Sequence, residues 1–351
     1  MHFAFTAQQL EFRDAVRQVL AKECTTADVR RAYDTAPDRP ADSPRWATLA
    51  ELGVTGLTVP EPQGGLGLGL VDLVGLVEEA GRVALPEPLG TTTGIAVPLL
   101  ADPSVGGTPP TPTALLGDIA AGARTAAVAD PRWPDAPVPG ADGADILLVT
   151  CVGADGPELH VLDGAQTAVT PVASLDPTRR LGLPVWEPSA ATALATGDAA
   201  RTALATSADR AAVVSGAELL GLADAMIELT AAYAKDRHQF GRPIGSFQAV
   251  KHLLADARVL LEFARPVVYG AAWALDVGVP DASRSASAAK AYASDAATEA
   301  ARVSLQVHGA IGYTWESDLH LFLKRAWALG EAWGSAADHR ARLLQSLLDG
   351  R

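Results

Sequence analysis

The chain has 351 residues, 48% of them hydrophobic and 20% charged, with a formal net charge of −13. That length supports a large core and two or three domains. No block of Lys and Arg stands out, so a nucleic-acid partner has no electrostatic footprint, and no run of 18 apolar residues predicts a membrane span. The acidic balance leaves room for an anionic ligand, because a local pocket can carry the opposite sign. Cys24 and Cys151 are the only cysteines. They form no Cys-x-x-Cys pair and have no His cluster beside them, so neither a zinc site nor a disulfide is expected. The opening Met1-His2-Phe3 lacks a basic segment followed by an apolar stretch, so no secretory signal is read and the cytoplasm is the expected location.

Residues 1–103 read as a helical region. Thr6-Ala7-Gln8-Gln9 fits a capping box, and Leu10, Val16 and Leu20 continue a helical face. Trp46 to Leu52 predicts a second helix ended by Gly53. Pro60 to Gly69 is a Pro/Gly loop, and Val71 to Arg82 predicts a further helix with Glu78 and Glu79 late in it.

Residues 104–200 read as a small β region. Asp145 to Thr150 and Leu159 to Leu162 are β-prone runs separated by a Gly/Asp segment, which predicts a hairpin. Thr167 to Thr170 is a candidate third strand, limited by Pro171.

Residues 201–351 are helical again. Asp209 to Asp236 predicts one long helix. Ser246 is placed to cap a second, carrying Val250, Leu253, Leu254, Ala257, Leu260, Leu261 and Ala264, with Pro266 as a kink. Ser283 to His308 predicts a third, stopped at Gly309. Asp318 to Glu331 and Ala336 to Leu348 follow, so a four-helix bundle is expected.

Two segments carry candidate chemistry. In Arg237-His238-Gln239-Phe240-Gly241-Arg242-Pro243-Ile244-Gly245-Ser246-Phe247-Gln248, a long helix ends in a basic, glycine-punctuated turn. Arg237 offers a planar fork of donors suited to phosphate, and the next helix offers unpaired first-turn N–H groups. A plain helix–helix turn with a solvated Arg fits the same residues. In Gln306-Val307-His308-Gly309-Ala310-Ile311-Gly312-Tyr313, the glycines permit close approach and Gln306 suits a base or ribose. A C-cap glycine followed by a loop fits equally well.

Taken together, Arg237-x-x-Phe240-Gly241, Phe247-Gln248 and Gln306-x-x-Gly309 resemble the C-terminal domain of acyl-CoA dehydrogenases. Trp46-x-x-Leu49-x-x-Leu52-Gly53, Val59-Pro60-Glu61 and Gly64-Gly65-Leu66-Gly67 are similar to that family's helical domain. Gly312-Tyr313-Thr314-Trp315-Glu316-x-Asp318-Leu319-His320-Leu321 looks like the bacterial branch acting on bulky acyl-CoA substrates such as sterol side chains. The resemblance implies an α+β fold: an N-terminal α-helical domain at 1–103, a middle β-barrel at 104–200, shortened here, and a C-terminal four-helix bundle at 201–351. It implies FAD between subunits, with Arg237 and Phe240 at the pyrophosphate of a neighbour's cofactor, Gln306 and Gly309 at its adenosine part, and Gln248 in the same wall. The helix from Asp209 would line the acyl pocket. The implied reaction is α,β-dehydrogenation of an acyl-CoA, with electron-transferring flavoprotein as the usual electron acceptor.

The sequence departs from that pattern in one direction. The family's Glu base precedes a Gly-Thr whose counterpart here is Gly334-Ser335, so Trp333 occupies its place. The alternative Glu position, at the start of the long helix, aligns with Ala211. Neither side chain takes a proton. Glu331, Glu218 and Asp209 are nearby carboxylates, each of which also suits a structural role; of these Glu218 and Glu331 are the candidates, and Glu331 lies two positions off the motif, about 200° around an ideal helix. The middle region lacks recognisable Thr-Glu-Pro, Gly-Ser-Asp and Trp–Thr segments. Ala129-Asp130-Pro131 stands about where the first should be. Residues that reach a neighbour's FAD are present, and those that hold FAD's reactive end within the same chain are not. The expectation is a subunit that completes the FAD site of a paralogous catalytic partner, as in the two-plus-two heterotetramers of some bacterial members. A self-sufficient homo-oligomer with a relocated Glu, and a non-catalytic scaffold, are the alternatives.

Overall fold

The computed structural model describes residues 4–35, 39–106 and 111–350, so Met1-His2-Phe3 lies outside it. In chain order, the first helices are α1 (Ala7–Glu23), α2 (Thr26–Asp34), α3 (Pro44–Glu51) and α4 (Leu70–Arg82). A π-helical turn at Gly90–Ala96 leads into α5 (Val97–Leu100) and then α6 (Pro112–Ala120). Strands β1 (Ala126–Val128), β2 (Ile146–Gly153), β3 (Gly156–Asp163), β4 (Val169–Pro171), β5 (Gly182–Pro184) and β6 (Ala193–Thr196) follow. Helix α7 (Gly197–Asp236) runs 40 residues. A two-residue ribbon, β7 (His238–Gln239) and β8 (Arg242–Pro243), precedes α8 (Gln248–Val277), α9 (Ala282–His308), α10 (Leu319–Glu331) and α11 (Ala336–Leu348).

The chain packs as two compact units. The first comprises Met1–Arg30, Val74–Leu85 and Ser215–Arg351, and the second Arg31–Leu73 and Pro86–Val214.

In the first unit the bundle follows from small residues and short turns. Gly278, in the left-handed conformation at φ 70°, ends α8 and lets α9 return antiparallel. Helix α9 buries Ala286, Ala289, Ala293, Ala296, Ala297, Ala300 and Ala301, a face that admits close neighbours. A Cβ at Gly216 of α7 would stand 3.6 Å from the Ala289 carbonyl oxygen and from Ala293 Cβ. Further along the same pair of helices, the Ser304 hydroxyl donates to the Met226 carbonyl at 3.1 Å. The α4–α7 crossing is tighter still. A Cβ on Gly81 would come within 2.2 Å of the Glu218 carbonyl oxygen, and one on Gly221 within 1.9 Å of the Glu78 carbonyl oxygen. Helix α1 starts with the expected capping box, Thr6 and Gln9 satisfying each other's backbone N–H groups.

Burying Glu78, Glu79 and Asp224 in that unit is offset by arginines. Arg265 donates from Nε to Glu78 at 2.9 Å and from Nη2 to Asp224 at 2.6 Å. Arg258 reaches Asp224 at 2.5 Å, and Arg82 also bonds it. Arg17 pairs with Glu79 at 2.5 Å, and the Tyr269 hydroxyl donates to Glu78. Burial alone would raise Asp224, but the charges of Arg82, Arg258 and Arg265 outweigh it and hold the carboxyl below its usual range. Burial followed by the Glu78 charge pushes the Tyr269 phenol well above its usual value.

In the second unit the sheet order is β1-β2-β3-β6, with β4-β5 as a separate ribbon. Strands β2 and β3 form the expected hairpin, Leu148 opposite Val161 and Gly153 opposite Gly156 at its tip. Leu147, Val149 and Leu162 share one face with Ala127, Ala129, Val138 and Ala141, and Trp186 packs against them. The π-helical turn is stitched to β1 where the Ala126 N–H donates to Thr92 Oγ1 at 3.1 Å.

Candidate functional site

The ends of α7 and α9 lie side by side in the first unit. The Tyr233 ring stacks on His308 with centroids 4.3 Å apart and planes 13° from parallel. Arg237 stands one helical turn beyond Tyr233, about 6 Å along the axis, and Gln306 is two residues before His308. The turn after α7 folds back on that helix, since a Cβ at Gly245 would be 2.9 Å from the Ala234 carbonyl oxygen. The start of α8 is therefore carried to the same end. Arg237, Phe240, Gln248, Gln306 and Gly309 are all exposed there.

Several features of this end suit a ligand better than they suit an isolated chain. The Arg237 guanidinium has no hydrogen-bond or ion-pair partner among the described residues, although its backbone carbonyl accepts from the Ile244 N–H at 2.8 Å. Phe240 is 92% exposed and sits at φ 52°, a conformation that bulky residues rarely adopt. Its ring meets Phe247 edge-on at 6.1 Å, and the Arg242 guanidinium lies 4.1 Å over the Phe247 ring. Helix α8 begins at Gln248 with no side-chain cap. The expected Ser246 cap does not form, because that hydroxyl donates to the Pro243 carbonyl at 2.7 Å and Phe247 takes the cap position. First-turn N–H groups of α8 are left for an anion. Gly309 ends α9 at φ 64°, ψ −142°, with open space where a Cβ would project. This donor set fits a dinucleotide's phosphates and adenosine: a guanidinium, bare helix N–H groups, an exposed ring and a glycine that yields room.

The positions expected for a base tell a different story. Trp333 is buried at φ 56° and Gly334 follows at φ 101°. That backbone is tied on both sides. His339 Nε2 donates to the Trp333 carbonyl at 2.9 Å, and Lys290 Nζ donates to the carbonyls of Gly330 and Gly334 at 2.8 Å each. Lys290 is fully buried, and its third contact is the Ser294 hydroxyl. Ser335 then caps α11 through a box with Asp338. The turn is well supported and carries an indole where a carboxylate would act. Ala211 is buried in the second unit and offers nothing titratable.

Neither alternative carboxylate stands ready. Glu218 accepts from Arg325 Nη1 at 2.9 Å, and the same nitrogen donates to the Leu85 carbonyl at 3.0 Å. Its own carbonyl lies beneath Gly81. Glu331, the last residue of α10, is exposed. In the Gly312–Leu321 stretch, Trp315 meets His320 edge-on at 4.4 Å and Lys324 lies 4.2 Å over the Trp315 ring. Burial, then the charges of Lys324 and Arg30, pull His320 down to about 4 against the opposing charge of Asp318, so the imidazole is neutral at pH 7.

Comparison with known proteins settles the lineage of this arrangement. The model of the acyl-CoA dehydrogenase C-terminal domain matches residues 200–348, and that of the N-terminal domain matches residues 6–122. The chain belongs to the acyl-CoA dehydrogenase family. Members of this family are flavin-dependent oxidoreductases acting on the CH–CH group of acyl-CoA. This acyl-CoA dehydrogenase is 38% identical over 315 residues to acyl-CoA dehydrogenase IpdE2 of Mycobacterium tuberculosis, covering 90% of this chain and 89% of that protein. Among solved structures, a variant of the Tcur3481-Tcur3483 steroid ACAD matches with a TM-score of 0.83 and 29% identity over 98% of each chain. The ChsE4-ChsE5 complex from Mycobacterium tuberculosis matches with a TM-score of 0.84 and 24% identity over 99% of each chain. Among the described residues, no helix is long and apolar enough to cross a membrane.

Proposed function

We propose that this chain is one subunit of a heteromeric, FAD-dependent acyl-CoA dehydrogenase, and that it completes the FAD site of a partner chain carrying the catalytic base. The observation that carries the reading is a mismatch within one bundle. Arg237, Phe240, Gln248, Gln306 and Gly309 are each exposed at or near the ends of α7, α8 and α9, whereas the base position holds Trp333. ChsE4-ChsE5 is a complex, and Tcur3481-Tcur3483, likewise paired in name, is a steroid ACAD. That likeness, with the Gly312–Leu321 stretch, supports a bulky, sterol-type acyl-CoA as substrate; electron-transferring flavoprotein is the acceptor that the family resemblance implies.

Arg237 would hold the pyrophosphate with two parallel donors, and the bare first turn of α8 would add N–H groups to the same anion. Gln306 would meet the adenosine part, with Gly309 leaving the backbone close enough for contact. When bound, the flavin takes up the hydride from the substrate's β-carbon. Proton removal at the α-carbon falls to the partner, since Trp333 and Ala211 have no basic atom and Glu218 is engaged by Arg325.

The test is co-expression with a paralogous acyl-CoA dehydrogenase chain that has a Glu before its Gly-Thr, followed by a dye-reduction assay on a steroid-type acyl-CoA. The pair turns over, this chain alone does not, and Glu331→Gln leaves the pair's rate unchanged. Turnover by this chain alone sinks the proposal.

A further inference from the structure

The β2–β3 hairpin brings together three residues that no part of the dehydrogenation chemistry uses. Cys151 lies directly opposite Glu158 in the register, and His160 is two residues beyond Glu158 on the same face. Their side chains continue the face that packs Leu147, Val149 and Leu162, at the point where that core ends. A bulge between Leu159 and His160 shifts the pairing of β3 with β6 there. His160 is 1% exposed, while Cys151 and Glu158 are only half-buried.

The hydrogen bonds around His160 define what its inner nitrogen can do. The Thr192 hydroxyl lies 3.1 Å from the Ser189 carbonyl oxygen and 3.2 Å from the Ser189 hydroxyl, and when it donates to either of them its oxygen accepts from His160 Nδ1 at 3.0 Å. With the proton on Nδ1, the Nε2 lone pair points at Glu158 Oε2, 3.0 Å away, and at Cys151 Sγ, 3.7 Å away. Cys151 Sγ and Glu158 Oε2 are also 3.7 Å apart. That separation is filled either by a neutral Nε2–H donating to the carboxylate, in the other tautomer, or by a cation that takes all three groups.

The spacing matches the second possibility. Zinc bonds of about 2.3 Å to sulfur and about 2.0–2.1 Å to nitrogen and oxygen, at tetrahedral angles, separate the ligand atoms by roughly 3.3–3.6 Å. The two separations from sulfur, 3.7 Å each, lie just above that range, and the 3.0 Å between nitrogen and oxygen, a hydrogen-bond length, would widen by about 0.3 Å on binding. The Thr192 contact is the outer hydrogen bond that a metal-binding imidazole ordinarily makes through its other nitrogen. We propose that Cys151, Glu158 and His160 form a three-ligand site for a zinc-class divalent cation at the edge of the middle sheet, with a fourth position open to water. Binding forms the sulfur–metal bond and releases the thiol proton to solvent. The cation staples the two strands of the hairpin; none of the proposed cofactor contacts lies on these strands.

The site was not legible as a metal motif because its ligands are spaced by strand pairing, not by a short linear repeat. Gly153 is part of it. A Cβ there would come within 1.9 Å of Glu158 Oε1, so the glycine leaves the carboxylate room to lie against the strand.

The experiment titrates the reduced, full-length chain with Co2+ and then displaces the ion with Zn2+ in competition with a chromophoric chelator. One cobalt per chain is expected, with tetrahedral visible bands and a thiolate-to-cobalt charge-transfer band. Cys151→Ser removes the charge-transfer band and weakens zinc binding by at least about tenfold, the order seen even for outer-contact losses at such sites. Gly153→Ala, which replaces no ligand residue but sets a methyl group against the Glu158 carboxylate, weakens binding by displacing Glu158 and serves if Cys151→Ser folds poorly. Cys24→Ser keeps the band. A wild-type chain with no charge-transfer band, or zinc affinity equal in the wild type, Cys151→Ser and Gly153→Ala, overturns the site and leaves a plain His160–Glu158 hydrogen bond.

Discussion

Single residues in this bundle are held by charge as much as by packing, and Asp224 shows the cost. It is 2% exposed and faces three guanidinium groups, those of Arg82, Arg258 and Arg265. Its folded pKa lies below the unfolded value of about 3.9. The stabilisation is therefore fully present above that unfolded value and is lost as pH falls through the folded one. Asp224→Asn removes the charge and leaves the arginines uncompensated, a loss of about 3–5 kcal/mol at neutral pH. Thermal unfolding followed from about pH 6 down to about pH 2 checks the sign. The wild type loses stability over the acid range, and the variant, already less stable, loses less. Parallel pH curves for the two proteins contradict the assignment.

At the scale of elements, the crossing of α4 and α7 is set by glycine. Gly81 and Gly221 sit where backbone meets backbone, so no rotamer change makes space for a methyl group. Gly221→Ala is expected to destabilise the chain by about 3 kcal/mol, the upper end of ordinary overpacking, although alanine favours helices by about 1 kcal/mol. Chemical denaturation measures it, and a stabilised variant rules out the tight crossing. Much at this scale was legible in the sequence, because caps and stops are local. Thr6 caps α1, Gly53 turns left-handed after α3, and Gly309 stops α9 as read. The long helix starts at Gly197, twelve residues before Asp209, and its buried face there, Ala200, Ala203, Leu204 and Ser207, is mostly small residues whose spacing gives little hydrophobic contrast to mark a boundary. Ser246 misled because a hydroxyl three residues after a carbonyl bonds backwards as readily as forwards. Partnering of β4 with β5 was hidden, as three-residue strands with prolines carry no alternation. Of the candidate site, the Arg237 and Gln306 motifs were readable. That α7 and α9 end side by side was not, because it depends on Tyr233 stacking on His308, residues far apart in the chain.

Under the proposed function, the molecule as a whole is a dehydrogenase fold whose two chemical duties have come apart. The residues proposed to grip a dinucleotide are exposed. The turn that would carry the base is well built, tied down by Lys290 and His339, yet presents Trp333. A scaffold kept for assembly alone gives no reason for an exposed Arg237 without an internal partner beside an exposed Phe240 in a strained conformation. The most direct measurement is the FAD content and turnover of the purified two-chain complex, with Arg237→Ala placed in this chain only. Losing one charge-assisted contact of about 1.5–3 kcal/mol predicts that FAD is retained roughly 10- to 100-fold more weakly, with turnover falling accordingly and restored in part by added FAD. A complex that keeps its full FAD and rate after that change would contradict the claim that this chain completes its partner's site.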